Sequence, residues 1–383
     1  MSLEKKSHDF WKKMPIDFNN TNSNKEIVKL EENNTYTNIS LKLPGKLSWY
    51  NINLNDKSDM DDLVIFLNNN YHEKNSNIKF VFTNELLKWL LNYDNRNQEL
   101  AIGIKYEANL VGCIFGMIRK LNLKNKLITG SETNLLCLSK NIRNLNIAPI
   151  MIQELTRRTN YILSINHSIY TTDLILPNII STTNYLYRFV NIRKMIDLHF
   201  ISKTLENELG YDKIKEYYHY TKTNIKGTIK DLNLLTEDQL KDCCNKLNKN
   251  ILNLSLGYYF DIELFKHTFL NPIINCWVIF NKGKITDMIS CYNQKSKLAN
   301  NKLINNCNLF YYFNNKNSLE KLVSIVIKYS IKNNIDRVKV LNIMDYNNLK
   351  NFNFDEGLVK INYYIYNWYS KNIDKQHISY FVF

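Results

Sequence analysis

Apolar positions recur along this chain with two different periods, and the changes of period mark its elements. Residues 1 to 48 are polar apart from Phe10-Trp11 and end in Leu43-Pro44-Gly45, a turn signature. Leu63, Phe66 and Leu67 then follow at helical spacing, which predicts an amphipathic helix capped by Ser58 with Asp61 three residues on. Thr83 is the predicted cap of a second helix carrying Leu86, Leu87, Trp89 and Leu90. From Leu100 the pattern shortens: apolar runs over 100–105 and 110–118 flank Glu107-Ala108-Asn109, which predicts a β-hairpin followed by a strand over 133–138. Ala148-Pro149 puts proline in the first turn of a predicted helix whose apolar face is Ile150, Met151, Ile152 and Leu155. A strand over 162–170 is expected next.

The C-terminal half repeats that order. Residues 276–280 and 285–292 read as a hairpin about Asn281-Lys282-Gly283-Lys284, then a helix over 318–333 and a strand over 337–343. Hairpin, strand, helix and strand occurring twice predict a mixed α/β fold, in which two copies of one unit share a large sheet. The expected division is an arm over 1–48, one half over 49–205 and a second over 206–383.

Composition narrows the chemistry. With 10 Gly and 5 Pro in 383 residues there is little material for glycine-rich phosphate loops or proline-rich linkers. Lys+Arg exceed Asp+Glu by 50 to 36, a formal +14 that favours anionic partners, but the lysines are scattered, so DNA is not expected among them. The 7 Cys form no CxxC pair and the 7 His show no ligand spacing, which leaves no metal site and suits a reducing compartment. No apolar run approaches the roughly 18 residues of a transmembrane helix, and no Gly-x-Ser-x-Gly elbow announces a hydrolase. A soluble intracellular protein is the expectation.

More specific segments remain. Ser7-His8-Asp9-Phe10-Trp11 with Pro15, Asn70-Tyr71, Trp89, the run from Glu132 to Leu138, Arg143, Ala148-Pro149, Thr156-Arg157-Arg158, Tyr170-Thr171, Leu176-Pro177, Tyr185 and the run from Tyr363 to Trp368 form one ordered series. In order and spacing it resembles the eukaryotic glycylpeptide N-myristoyltransferases over nearly the whole chain. The resemblance implies two acetyltransferase-like (GNAT) halves related by a pseudo-two-fold. It also implies transfer of a C14 acyl group from myristoyl-CoA to an N-terminal glycine, with that donor as a substrate and no further cofactor. A cytoplasmic monomer acting on substrate proteins, with ribosomes as a candidate partner, goes with it.

The same resemblance assigns residues. Asp9, Phe10 and Trp11 fold over the CoA, which Leu135, Leu136, Cys137, Leu138, Arg143, Asn144, Asn146, Ile147 and Ala148 also contact. A phosphate before the helix at Ala148-Pro149 suits the free N–H groups and dipole of a helix start. The N–H groups of Leu135 and Leu136 form an oxyanion hole, and the carboxylate of Phe383 is the base, with Thr171 and Asn134 as positioning groups. Tyr71, Glu73, Phe80, Phe82, Thr171, Asp173, Tyr185, Tyr187 and Ser290 face the peptide. Departures cluster on that side: His72 to Ser76 replaces an acidic run, Thr172-Asp173 replaces Ala-Gly, Gly357-Leu358-Val359 replaces Gly-Asp-Gly, and Tyr187 replaces a histidine. They motivate an alternative, a diverged protein that binds acyl-CoA or an acylated peptide with little turnover. Transfer of another acyl group to an amine is a third reading.

Overall fold

The computed structural model describes residues 37–71, 78–220 and 223–382, with the backbone of a short strand at Ile27–Lys29. The first helix among the described residues, α1 (Lys57–Asn70), buries Met60, Leu63, Phe66 and Leu67. Its cap is Asp56 and not Ser58: the Asp56 carboxylate accepts the Asp59 N–H at 3.0 Å, so the helix starts two positions earlier than the Ser58 pattern indicates. The second, α2 (Asn84–Leu91), is capped as expected by Thr83, whose hydroxyl accepts the Leu86 N–H at 3.3 Å. The proline-started helix is α3 (Ile147–Leu163), and its C-terminal counterpart is α4 (Leu319–Lys332). Because α3 runs to Leu163 and ends on Ser164 in the left-handed region at φ 52°, the strand expected from residue 162 begins only at Ser168.

Among the described residues fifteen strands form one sheet. They are β1 (Leu47–Asn51), β2 (Ile78–Phe80), β3 (Ala101–Tyr106), β4 (Asn109–Leu123), β5 (Lys126–Leu138), β6 (Ser168–Thr172), β7 (Ser181–Phe189) and β8 (Thr228–Asp231). The rest are β9 (Leu256–Tyr258), β10 (Ile274–Asn281), β11 (Lys284–Leu298), β12 (Leu303–Asn314), β13 (Arg337–Leu341), β14 (Asp355–Tyr366) and β15 (Ile378–Ser379). The main path runs β15-β9-β4-β5-β6-β14-β7-β13-β12-β11-β10-β8, with β1 and β3 branching from β4 and β2 from β11.

The repeat is real. Hairpin β3-β4, antiparallel β5, helix α3 and strand β6 parallel to β5 match hairpin β10-β11, antiparallel β12, helix α4 and strand β13 parallel to β12. The two units join at the centre, where β14 lies between β6 and β7 and antiparallel to both. The largest core packs the second unit and takes in Tyr311, Tyr346, Tyr363, Tyr380 and Phe381, so the C-terminal tail is core material. Smaller cores lie under α1 with α2 and under α3. All seven cysteines are buried free thiols, consistent with packing roles.

Candidate active site

The site begins with a break in a ladder. Strands β4 and β5 pair Cys113 with Cys137 and Phe115 with Asn134, so Leu135 and Leu136 together oppose Ile114. This is a β-bulge, and its first residue, Leu135, sits at φ 51°, a conformation that costs an L-residue with a Cβ about 1–2 kcal/mol. A leucine is held there by the core around it, since Leu135 packs with Phe115, Cys137 and Phe82. The Leu135 N–H, turned out of the ladder, donates to Asn134 Oδ1 at 2.8 Å. Asn134 Nδ2 in turn lies 3.4 Å from Oε1 of the buried Glu132, which also accepts from Arg119 Nε at 3.2 Å and from the Tyr258 hydroxyl. The carboxamide orientation follows from these two partners. Burial pushes the Cys137 thiol up to about 12, so two residues past the bulge the sulfur stays protonated and is no nucleophile near neutrality.

The bulge opens on a cavity of about 400 Å³ between the two units. Its wall holds Asn134, Leu135 and Leu136 from β5, Thr171 and Asp173 at the end of β6, Tyr185 from β7, and Tyr71, Phe80 and Phe82 from the segments after α1. From the other unit come Tyr292 and Gln294 of β11, Ile361 of β14, and Tyr380 and Val382 of the tail. Stretches far apart in sequence thus meet at one void, lined mostly by apolar and aromatic side chains with a few polar groups.

The tail reaches that void because its backbone is clamped. Strand β15 pairs in parallel with β9, matching Leu256 to Ile378 and Gly257 to Ser379. A methyl group on Gly257 would overlap Ser379 Oγ, so glycine is needed for this approach. The Tyr311 hydroxyl donates to the Ser379 carbonyl at 2.8 Å and the Tyr363 hydroxyl to the Tyr380 carbonyl at 2.8 Å. Phe381 packs its ring 4.7 Å from Tyr311 and 5.0 Å from Phe310.

On the other side of the bulge lies the start of α3. Asn146 precedes it at φ 54° without a side-chain cap, so the first N–H groups of the helix are not taken by its cap residue. Arg143 points Nε at the Leu138 carbonyl (3.1 Å) and Nη2 at the Asn70 carbonyl (2.7 Å), bracing the end of β5 against the end of α1. Further along α3, buried Glu154 accepts from Arg157, Arg158 and the Leu41 N–H, and Arg157 also donates to the Thr37 carbonyl. These bonds lay residues 37–41 across the helix.

Family models and relatives agree with this arrangement. The description "Myristoyl-CoA:protein N-myristoyltransferase, N-terminal domain" matches residues 23–183, and the corresponding C-terminal domain matches residues 201–379. The chain belongs to the myristoyl-CoA:protein N-myristoyltransferase family. It is 30% identical over 374 residues to the glycylpeptide N-tetradecanoyltransferase of Plasmodium falciparum, covering 94% of this chain and 90% of that one. The Drosophila melanogaster enzyme of the same name is 28% identical, covering 93% of this chain and 75% of the relative. Among solved structures, Saccharomyces cerevisiae N-myristoyltransferase with bound myristoyl-CoA shares the fold at a TM-score of 0.89 and 22% identity, covering 98% of this chain and 95% of that chain.

Within this N-myristoyltransferase fold, the residues singled out in the sequence fall into three groups. Tyr71, Phe80, Phe82, Asn134, Leu135, Leu136, Thr171, Asp173 and Tyr185 meet at the cavity. Cys137, Leu138 and Ile147 are buried in the neighbouring cores, and Arg143, Asn144 and Asn146 stand exposed before α3 with Ala148 half-buried at its start. Two peptide-side residues are not in the cavity wall: Ser290 is buried with its hydroxyl on the Tyr311 carbonyl, and Tyr187 lies behind Tyr185 under the Arg337 guanidinium. Asp9, Phe10, Trp11, Glu73 and Phe383 lie outside the described residues. Sequence reasoning missed Tyr292 and Gln294, although alternation along β11 from Ser290 puts both on its face. It also missed Tyr311 and Tyr363 as clamps, for which a sequence carries no signal.

Proposed function

We propose that the protein transfers the C14 acyl group of myristoyl-CoA to the α-amine of an N-terminal glycine. The amine attacks the thioester carbonyl carbon, and the negative oxygen that forms is held by the N–H groups of Leu135 and Leu136. The C–S bond then breaks, the second amine proton passes to the departing sulfur, CoA leaves as the thiol, and an amide remains. An N-terminal ammonium, with a pKa of about 8, must first lose a proton, which the Phe383 carboxylate takes, with Thr171 and Asn134 orienting the amine. Burying a dozen methylenes is worth on the order of 10 kcal/mol, so donor affinity follows chain length.

The observation that carries this reading is that the left-handed bulge at Leu135 and the clamped tail, through Tyr380 and Val382, line one cavity. The alternative, acyl-CoA binding with little turnover, draws support from the Leu135 N–H being engaged by Asn134 and from Asp173 on the cavity wall. Transfer of radiolabelled C14 from CoA to Gly-starting octapeptides separates the two. Labelled peptide is expected; tight acyl-CoA binding with no labelled peptide in the whole panel would favour the alternative.

A further inference from the structure

Acyl transfer leaves the mouth of the cavity unexplained. Two segments there expose large apolar side chains: Leu174 at 52% and Ile175 at 85%, and Leu358 at 98% and Val359 at 47%. Leu174 and Val359 also line the cavity, so the exposed patch is continuous with its wall.

Neither segment hangs free. The Leu174 carbonyl accepts from Asn362 Nδ2 at 3.1 Å and from the Tyr364 hydroxyl at 3.0 Å, and the Leu174 N–H donates to Thr172 Oγ1 at 3.1 Å. One residue past Ile175, the Leu176 N–H is fixed on the Tyr364 hydroxyl oxygen at 2.9 Å. In the second segment the pairing of β14 with β7 steps from Glu356 opposite Leu186 to Lys360 opposite Asn184, so residues 357–359 bulge out against Tyr185 alone. Asn184 Nδ2 holds the Gly357 carbonyl at 3.0 Å, and a methyl group on Gly357 would meet Tyr187 Cε2 at 2.5 Å and the Tyr185 carbonyl at 3.0 Å. Glycine therefore lets the bulge close tightly and present Leu358 to solvent on a fixed backbone. Apolar side chains held in water beside a pocket mark a contact surface.

We propose that this rim receives large apolar side chains of the acceptor peptide, just beyond the residues that enter the cavity. Its substrates are then N-terminal glycine chains carrying leucine- or phenylalanine-type residues a few positions on. The inference rests on the acyl-transfer reading. Continuity argues for the peptide as occupant, because a chain leaving the cavity meets Leu174 and Val359 first and Ile175 and Leu358 next. Charge beside the rim is mixed, with Asp173, Glu356 and Lys360 all exposed, so the exposed apolar side chains set the preference.

The test uses the full chain, myristoyl-CoA and Gly-starting octapeptides that differ only in whether their second half carries Leu, Phe, Ser or Lys. The Leu and Phe peptides are expected to show kcat/KM about tenfold above the Ser and Lys peptides, equivalent to about 1.4 kcal/mol and carried by KM. In the double variant Ile175→Asp, Leu358→Asp the Leu-to-Ser ratio is expected to fall to near one. The ratio is read on one protein preparation, so any loss of folded protein cancels. A wild-type ratio near one, or a ratio that survives in the double variant, overturns the proposal. So does binding to phosphatidylcholine and phosphatidylserine vesicles that the variant loses while its peptide ratio stays put, because the rim would then face a bilayer. Failure of the function reading looks different: no peptide of the panel is labelled, and the rim proposal falls with it.

Discussion

Adding one alanine after Phe383 is the sharpest test of the proposed base. The tail cannot slide to absorb it: β15 is in register with β9, Tyr311 and Tyr363 hold the Ser379 and Tyr380 carbonyls at 2.8 Å each, and Phe381 is wedged among aromatic rings. The extra residue must extend onward from Val382, which already lines the cavity, and it moves the carboxylate by up to about 3.5 Å. A general base works only within about 3 Å of the proton it takes, so kcat is expected to fall about 10² to 10⁴-fold, or about 3–5 kcal/mol of barrier. The assay is single-turnover transfer from preloaded myristoyl-CoA, with the melting temperature as a control, since nothing in the core is altered. The deficit should shrink as pH rises past about 8, where the glycine amine loses its proton unaided. An extended protein with kcat within a factor of a few of the parent at neutral pH would refute the assignment of the base.

Three further outcomes follow from the geometry. Leu136→Pro removes a proposed oxyanion donor and should lower kcat about 10² to 10³-fold, while Leu136→Ala, which keeps the N–H, should stay near wild type; equal losses in both would show that the side chain matters and not the donor. At Glu154, burial raises the carboxyl pKa, but hydrogen bonds from Arg157, Arg158 and Leu41 outweigh it and hold the group below its usual range. Its contribution to stability is thus complete above about pH 4.3 and is lost as pH falls through the lower folded value; Glu154→Ala leaves two arginines buried and should cost about 3–5 kcal/mol in urea unfolding. Gly257→Ala should push Ser379 and the tail away from β9, reducing turnover more than donor affinity measured by titration with myristoyl-CoA.

The parts of this site that the sequence made legible are those written in local pattern. Helical spacing located α1 and α2, the separator Glu107-Ala108-Asn109 located the first hairpin, and proline in the first turn of α3 located the helix that follows the bulge. Where a local rule had two candidates it went wrong: Asp56 and Ser58 both suit a helix cap, and the choice depends on where the preceding backbone turns extended. The left-handed leucine is a different case. Residue propensity disfavours it, and only the family resemblance points to N–H groups freed from the ladder at Leu135 and Leu136; the register of Cys113 with Cys137 and Phe115 with Asn134 shows the break as one surplus residue.

Register also explains why the departures on the peptide side were legible as departures but not as a design. Gly357-Leu358-Val359 reads in isolation as a lost turn. Only the step from Glu356 opposite Leu186 to Lys360 opposite Asn184 shows that the three residues are expelled together from β14, and only the proximity of Tyr187 shows why the first must be glycine. The same strand that expels Leu358 supplies Asn362 and Tyr364, whose side chains fix the carbonyl of Leu174. One strand therefore positions both lips of the cavity, and its neighbour in sequence, the clamped tail, supplies part of the wall. A substitution on β14 that shifts its register should move recognition and catalysis together, whereas changes at the tips of the two lips should move recognition alone.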